Sequence, residues 1–260
     1  MNRYDFGMKS FEAEHYLLRA ELLWDRIEDR SAFPFTLPVV SRLKELEFHP
    51  NVTFLVGENG SGKSTLIEAI AVAWGFNAEG GSKNFNFKTH SSHSDLHKYV
   101  RLSKSVRRAK DGFFLRAESY FNVATEIEKL DEEPGSPPII DSYGGLSLHS
   151  QSHGESFFAL LENRFRGNGL YILDEPEAAL SPSRQMSMLT RMHDLISDKS
   201  QFIIATHSPI LMAYPDAWIY QIGPKGLDRV LYEDTEHYQV TRDFLNRPEI
   251  MLDILLDRKR

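Results

Sequence analysis

The chain contains no cysteine in 260 residues. Disulfides and thiolate metal sites are therefore excluded, and a reducing compartment suits the composition. No apolar run reaches the roughly 18 residues of a membrane-spanning helix. Met1 to Ala20 lacks the charged-then-apolar order of a secretory leader, so a cytoplasmic protein is expected. There is no internal repeat. General positive charge is also missing: the net charge is −7, which argues against wholesale coating of nucleic acid. What the composition does supply is a 41% hydrophobic content. That is enough for a core at this length, and one domain spanning residues 1–260 is expected.

Asn51 to Thr65 reads NVTFLVGENGSGKST. Val52, Phe54, Leu55 and Val56 form a short β-rich apolar run, a glycine loop follows, and Leu66 to Trp74 continues as an alanine-rich helix. The loop matches GxxxxGK[ST]. Gly57, Gly60 and Gly62 let the backbone amides of Gly57, Glu58, Asn59, Gly60, Ser61, Gly62, Lys63, Ser64 and Thr65 turn onto phosphate oxygens. Lys63 can reach the β and γ phosphates, and the Ser64 hydroxyl can hold Mg²⁺. The helix dipole faces the same anion.

Ahead of this loop, the apolar residues of Met1 to Asp29 suit an edge strand. Ser31 to Val40 carries Pro34 and Pro38 with Phe33 and Phe35, a loop whose aromatics either stack on a base or anchor the core. From Gly80 to Gly112 the chain is polar and basic, with Lys83, Lys88, Lys98, Arg101, Lys104, Arg107, Arg108 and Lys110 against Asp95 and Asp111. This segment is either a phosphate-backbone contact or a solvated face. His90, His93 and His97 lie in it without the company a metal site needs, and no metal is assigned there.

Gly112 to Val123 reads as a strand entering a short connection, Ala124 to Glu133 as a charged helix and Pro134 to Gly145 as a loop. Gln151 to Phe165 is a helix in which Ser152 and Glu155 make a capping box ahead of Phe157, Phe158, Leu161 and Phe165. Leu170 to Pro176, LYILDEP, is a strand ending in two carboxylates. Ser181 and Pro182 then start a helix running to about Ser197. Gln201 to Thr206 is a further buried strand, ending at His207. Ile219 to Ile222 is a fourth, and Val240 to Asp257 a terminal helix whose Arg258, Lys259 and Arg260 suit its C-terminal dipole.

Strands alternating with helices predict an α/β fold with a parallel or mixed sheet, its ligand at the carboxyl ends of the strands. Asp174 then holds Mg²⁺, Glu175 polarises the attacking water, and His207 donates to the γ phosphate without cancelling the metal's charge. Lys63, Glu175 and His207 are the candidate catalytic residues.

GENGSGKST, QSHGES, LYILDEPEAALSP and IIATHSP occur in that order. Together they resemble the P-loop, signature, Walker B with D-loop, and switch-histidine motifs of ABC-type ATPases, in the flavour of the short AAA/ABC-like ATPases related to the RecF, SMC and OLD proteins. The resemblance implies a P-loop NTPase fold of ABC-ATPase type, with a mixed sheet, flanking helices and a small signature-bearing lobe over about 112–168. It implies ATP and Mg²⁺ as cofactors and an ATP-closed homodimer, in which Ser152, His153, Gly154 and Glu155 meet a γ phosphate in trans. The family's Q-loop glutamine is replaced in FFLRAESYFN by Glu118, the candidate third Mg²⁺ ligand beside Ser64 and Asp174. His153 replaces the first glycine of the transporter-type signature, and Ser181 stands at the usual D-loop aspartate. The stretch between Glu118 and Ser152 is too short for SMC-type coiled-coil arms.

Two functions follow. One is an ATPase switch in DNA maintenance or defence, or one controlling an effector protein, with DNA met through the 83–110 segment. The other is the ATPase subunit of a membrane transporter, for which an LSGGQ-like signature and a Gln-bearing coupling loop are missing. A small-molecule P-loop kinase explains neither QSHGES nor IIATHSP.

Overall fold

Alternation decides which layer each strand residue joins. The computed structural model describes residues 13, 15–83, 94–132 and 138–257, without the His153 side chain. The chain runs through β1 (Leu17–Leu22), α1 (Pro38–Ser41), β2 (Glu45–Glu47), β3 (Val52–Val56), α2 (Lys63–Trp74), β4 (Val100–Lys104), β5 (Asp111–Arg116) and α3 (Tyr120–Asp131). It continues with α4 (His153–Ala159), β6 (Gly169–Asp174), α5 (Pro182–Ser197), β7 (Gln201–Ala205), α6 (Pro209–Met212), β8 (Trp218–Gly223), β9 (Gly226–Val230), α7 (Glu236–Asn246) and α8 (Pro248–Leu255).

The main sheet has the order β5-β6-β7-β3-β8-β9. Its strands are parallel except β9, which pairs antiparallel with β8. This is the expected mixed α/β fold. Phe113, Tyr171, Leu173, Phe202 and Ile204 point to one face, where they meet residues of α3, α4 and α5. Phe114, Leu170, Ile172, Ile203 and Ala205 point to the other, against α2 and a second sheet of order β2-β1-β4. Gln201, fully buried, stitches the two sheets together: its Oε1 accepts from the Tyr16 and Leu17 amides at 3.2 and 2.9 Å, and its Nε2 donates to Leu17 O and His49 O at 2.8 and 3.1 Å.

Several elements differ from the sequence expectation. The N-terminal strand is central in its sheet rather than at an edge, because β4, far along the chain, pairs with its second side. Helix α2 begins at Lys63, three residues earlier than the apolar pattern, since Gly62 in the left-handed region already turns the chain. β5 stops at Arg116 and a short connection follows, as expected, but α3 begins at Tyr120, four residues before the expected Ala124. The helix from Gln151 is capped by Ser152 and ends in a wide turn over Leu160–Arg164. The terminal helix is two helices, since Pro248 has no amide to donate and restarts the chain at the first position of α8. The basic segment contains β4, and β9 has no counterpart in the sequence expectation. Lys88, His90, His93, part of the 134–145 loop, Arg258, Lys259, Arg260 and most of Met1 to Ala20 lie outside the described residues. Among the described residues, no helix is long and apolar enough to cross a membrane.

Candidate functional site

Sheet order brings the motifs together. β6, β7 and β3 are neighbours, so the ends carrying Asp174 and His207 and the glycine loop open side by side at the carboxyl edge. In the loop, Gly60 and Gly62 have φ of 78° and 94°, and a Cβ at Gly62 would sit 2.8 Å from Val39 Cγ1. Only glycine meets both demands at residue 62. Glu58, Asn59 and Gly60 are exposed, whereas Ser61 and Lys63 are buried and Ser64 and Thr65 half-buried. The Lys63 ammonium donates to Gly57 O at 2.8 Å and Glu58 O at 3.1 Å. Burial pushes its pKa below the ordinary lysine value, against the opposing pull of Glu175 and Asp174.

Ser64 Oγ donates to Asp174 Oδ1 at 3.1 Å. Asp174 is buried, which pushes its pKa up to about 7 despite the Arg116 guanidinium beside it. A hydroxyl and a carboxylate short of compensating positive charge form a hard-oxygen pair suited to Mg²⁺, whose remaining ligands are phosphate and water oxygens. Buried Ser61 Oγ has no hydrogen-bond partner among the described residues, and His207 Nε2 faces the Glu175 carboxylate at 3.3 Å. Both are polar groups able to take an anionic ligand, so the site fits a magnesium nucleotide.

Glu175 follows Asp174 with φ of 52°, and its amide donates to Ala205 O at 2.9 Å, locking the strand-end turn. The turn leaves its carboxylate partly exposed, with Oε1 3.3 Å from His207 Nε2. The His207 amide donates to Glu177 Oε1 at 2.5 Å. Burial first, then Lys63, lowers the His207 pKa, with Glu175 opposing. Burial likewise raises Glu177.

Glu118 is placed differently from the expectation. Its side chain is 87% exposed and lies 3.5 Å from Arg116 Nη2. Arg116, in register with Asp174 at the end of β5, is the group beside the buried carboxylate, with Nε 3.8 Å from Asp174 Oδ2. Its Nη1 reaches Glu68 Oε2 on α2 at 2.6 Å. Motif reading does not reach Arg116, Glu68, Glu177 or His237. The signal for Arg116 is its place beside the LRAES strand end.

The capping box on α4 is present: the Glu155 amide donates to Ser152 Oγ, and the Ser152 amide donates to Glu155 Oε2 at 3.0 Å. Ser152 is exposed. Gly154 packs so closely that a Cβ would lie 2.9 Å from Ala179 O, which seats the signature-like turn on the segment after Glu175. Phe35 is buried, edge-on to Tyr99 at 5.2 Å, whereas Phe33 is 66% exposed. His97 Nδ1 lies 3.2 Å from Ser94 O, and among the described residues no cluster of His, Asp and Glu is suited to holding a metal.

Residues 35–155 match the AAA domain family and residues 145–212 the AAA ATPase domain family. An AAA-type ATPase region therefore spans residues 35–212. The ATPase is 26% identical over 172 residues to ABC transporter G family member STR2 of Medicago truncatula, covering 61% of this chain and 24% of that protein. It is 34% identical over 68 residues to UvrABC system protein A of Paracoccus denitrificans, covering 26% of this chain and 61% of that one. The aligned part is thus less than two thirds of either relative's length. CbiO1 of Clostridium perfringens, part of the ABC transporter complex cbiONQ, superposes with a TM-score of 0.53 at 18% identity, covering 91% of this chain and 97% of that one. That likeness is one of fold. An ATPase of this fold binds nucleotide, generally with Mg²⁺.

Proposed function

We propose that residues 1–260 form a single ATPase unit that closes as a homodimer on ATP and acts as a switch, with about 112–168 contributing a strand and the signature lobe. The observation that carries this reading is the convergence of Lys63, Ser64, Asp174, Glu175 and His207 at one sheet edge. In it Lys63 binds the β and γ phosphates, and Ser64 and Asp174 hold Mg²⁺, which neutralises charge on the phosphates when bound. Glu175 accepts the proton of the attacking water as its oxygen bonds to phosphorus and the bond to the ADP oxygen breaks. His207 donates from Nε2 to a γ-phosphate oxygen. Ser152, His153, Gly154 and Glu155 meet the nucleotide of the opposite subunit.

The output we favour is DNA maintenance or defence, or control of an effector protein. The DEPEAALSP and IIATHSP flavour and the 83–110 segment support it. Similarity to STR2 and to CbiO1 favours a second reading, the ATPase subunit of a transporter. Against it, Arg116 and Glu118 occupy the strand end where a coupling glutamine belongs, and no LSGGQ is present.

Glu175→Gln keeps the side chain's size but removes the acceptor charge. Turnover is expected to fall about 10²-fold or more while ATP still closes the dimer. Adding Ser152→Arg puts a bulky cation at the signature turn and prevents closure without touching the P-loop. Light scattering with Mg²⁺-ATP reads both. A Glu175→Gln protein that stays monomeric, or a double variant that still dimerises, overturns the dimer reading.

A further inference from the structure

Helix α7 brings a second imidazole against the candidate switch histidine. His237 Nε2 lies 2.9 Å from His207 Nδ1, and the rings meet at 60° with centroids 5.0 Å apart. On the other side of the His207 ring, Nε2 stands 3.3 Å from Glu175 Oε1. The second imidazole is held in place. Fully buried Thr235 caps α7 by accepting from the Tyr238 amide, and Tyr232 Oη, in the turn just before, donates to Pro209 O at 2.9 Å. His237 therefore sits in the first turn of a helix fixed to the segment that follows His207.

The groups that face this pair are Lys63, Glu175, Glu58 and Glu236, with Glu177 on the His207 amide. Burial, the largest influence, and Lys63 favour the uncharged form of each ring, opposed at His207 by Glu175 and at His237 by Glu58, whose pull exceeds that of Lys63. A neutral imidazole has one N–H, so the 2.9 Å contact has a single donor. Were that donor His207 Nδ1, the bare lone pair of Nε2 would face the Glu175 carboxylate and, in a nucleotide complex, a phosphate oxygen. Two anionic partners disfavour that arrangement. With the proton on His207 Nε2, Nδ1 accepts and His237 Nε2–H donates.

We propose that His237 is a positioning residue: it donates from Nε2 to His207 Nδ1 and fixes His207 in the Nε2–H tautomer, the form that can donate to a terminal phosphate. The catalytic consequence rests on the reading of His207 given above. The tautomer itself does not, which lets the two fail separately.

The test uses the full chain with ¹⁵N-labelled histidine, and steady-state ATP turnover of His237→Phe, His237→Gln and His207→Ala. Phe keeps a ring of similar volume without a donor, and Gln retains an amide N–H. The expected spectrum of the wild type shows His207 protonated at Nε2 and bare at Nδ1. His237→Phe is expected to mix the tautomers and to lower kcat about tenfold or more with KM for ATP nearly unchanged, and His237→Gln to restore most of the rate. A purely structural role would make Phe as good as Gln. A wild-type spectrum with Nδ1 protonated overturns the proposal whether or not the variants fold. So does equal turnover of Phe and Gln variants when His207→Ala is inactive. Full turnover of His207→Ala would instead overturn the role given to His207, leaving the spectrum to judge His237.

Discussion

Arg116 Nη1 donates to Glu68 Oε2 at 2.6 Å, joining the end of β5 to α2 behind the P-loop. Both side chains are largely buried, at 18% and 7% exposure. Removing one partner takes the 2.6 Å ion pair away from a largely buried charge, which costs up to roughly 3–5 kcal/mol, whereas replacing both by apolar groups is often close to neutral. Arg116→Met is therefore expected to lower the unfolding free energy by about 3 kcal/mol in urea titrations, and Arg116→Met with Glu68→Leu to recover most of it. Simple additivity of the two single losses would show that the pair is not coupled.

Asp174 carries a pH signature. Its pKa, about 7 in the fold, lies above the ordinary carboxylate value of 3.8. Such a group favours the folded state below about pH 4, and its contribution is lost as pH rises through about 7, by at most about 4 kcal/mol. In EDTA the wild type should lose stability across that window, and Asp174→Asn should remove that part of the slope. Mg²⁺ should stabilise the wild type near neutral pH and not the variant. Parallel pH profiles for the two proteins would show that Asp174 is not the group responsible.

The P-loop, the paired carboxylates and His207 could be read in the sequence because each is a contiguous run whose local geometry is its function. The glycine spacing, the strand before it and the helix after it all lie within a few residues of Lys63. Arg116 and His237 had no such frame. What gives Arg116 its meaning is the register that sets it opposite Asp174, and what gives His237 its meaning is a helix that returns to β7 from a later part of the chain. The strand character of Leu17–Leu22 was legible, but not its central place, because its second partner is β4. The break at Pro248 was visible as a proline, yet apolar residues on both sides made one helix the simpler reading.

Gln201 shows how much such non-local contacts contribute. Its amide meets four backbone groups, two amides and two carbonyls. Gln201→Leu fills a similar volume but leaves those groups buried without partners. A loss of roughly 2–4 kcal/mol is expected, with the denaturation midpoint falling while the slope of the transition is kept. A loss below about 1 kcal/mol would mean that the small sheet adjusts to satisfy them.

The basic segment divides once its cations are placed. Lys98 pairs with Asp95 at 2.9 Å and Arg101 with Glu21 at 2.6 Å. Lys83 and Lys104 hold their ammonium groups 4.7 and 4.4 Å from the Trp74 ring centroid, and burial lowers the pKa of both. These four are engaged within the fold, while Arg108 and Lys110 are exposed at the entry to β5. If the segment meets a nucleic-acid backbone, Arg108→Glu with Lys110→Glu should weaken binding and flatten its salt dependence, by about one unit of log-log slope for each phosphate no longer neutralised. Lys83→Gln with Lys104→Gln should instead cost stability, because neither position then carries a cation over the Trp74 ring, and change DNA affinity little. Fluorescence anisotropy with a labelled duplex and a labelled single strand, from low to moderate salt, separates the two groups. Wild-type protein that shows no salt-sensitive binding to either probe would make the segment a solvated face and leave effector control as the reading to pursue.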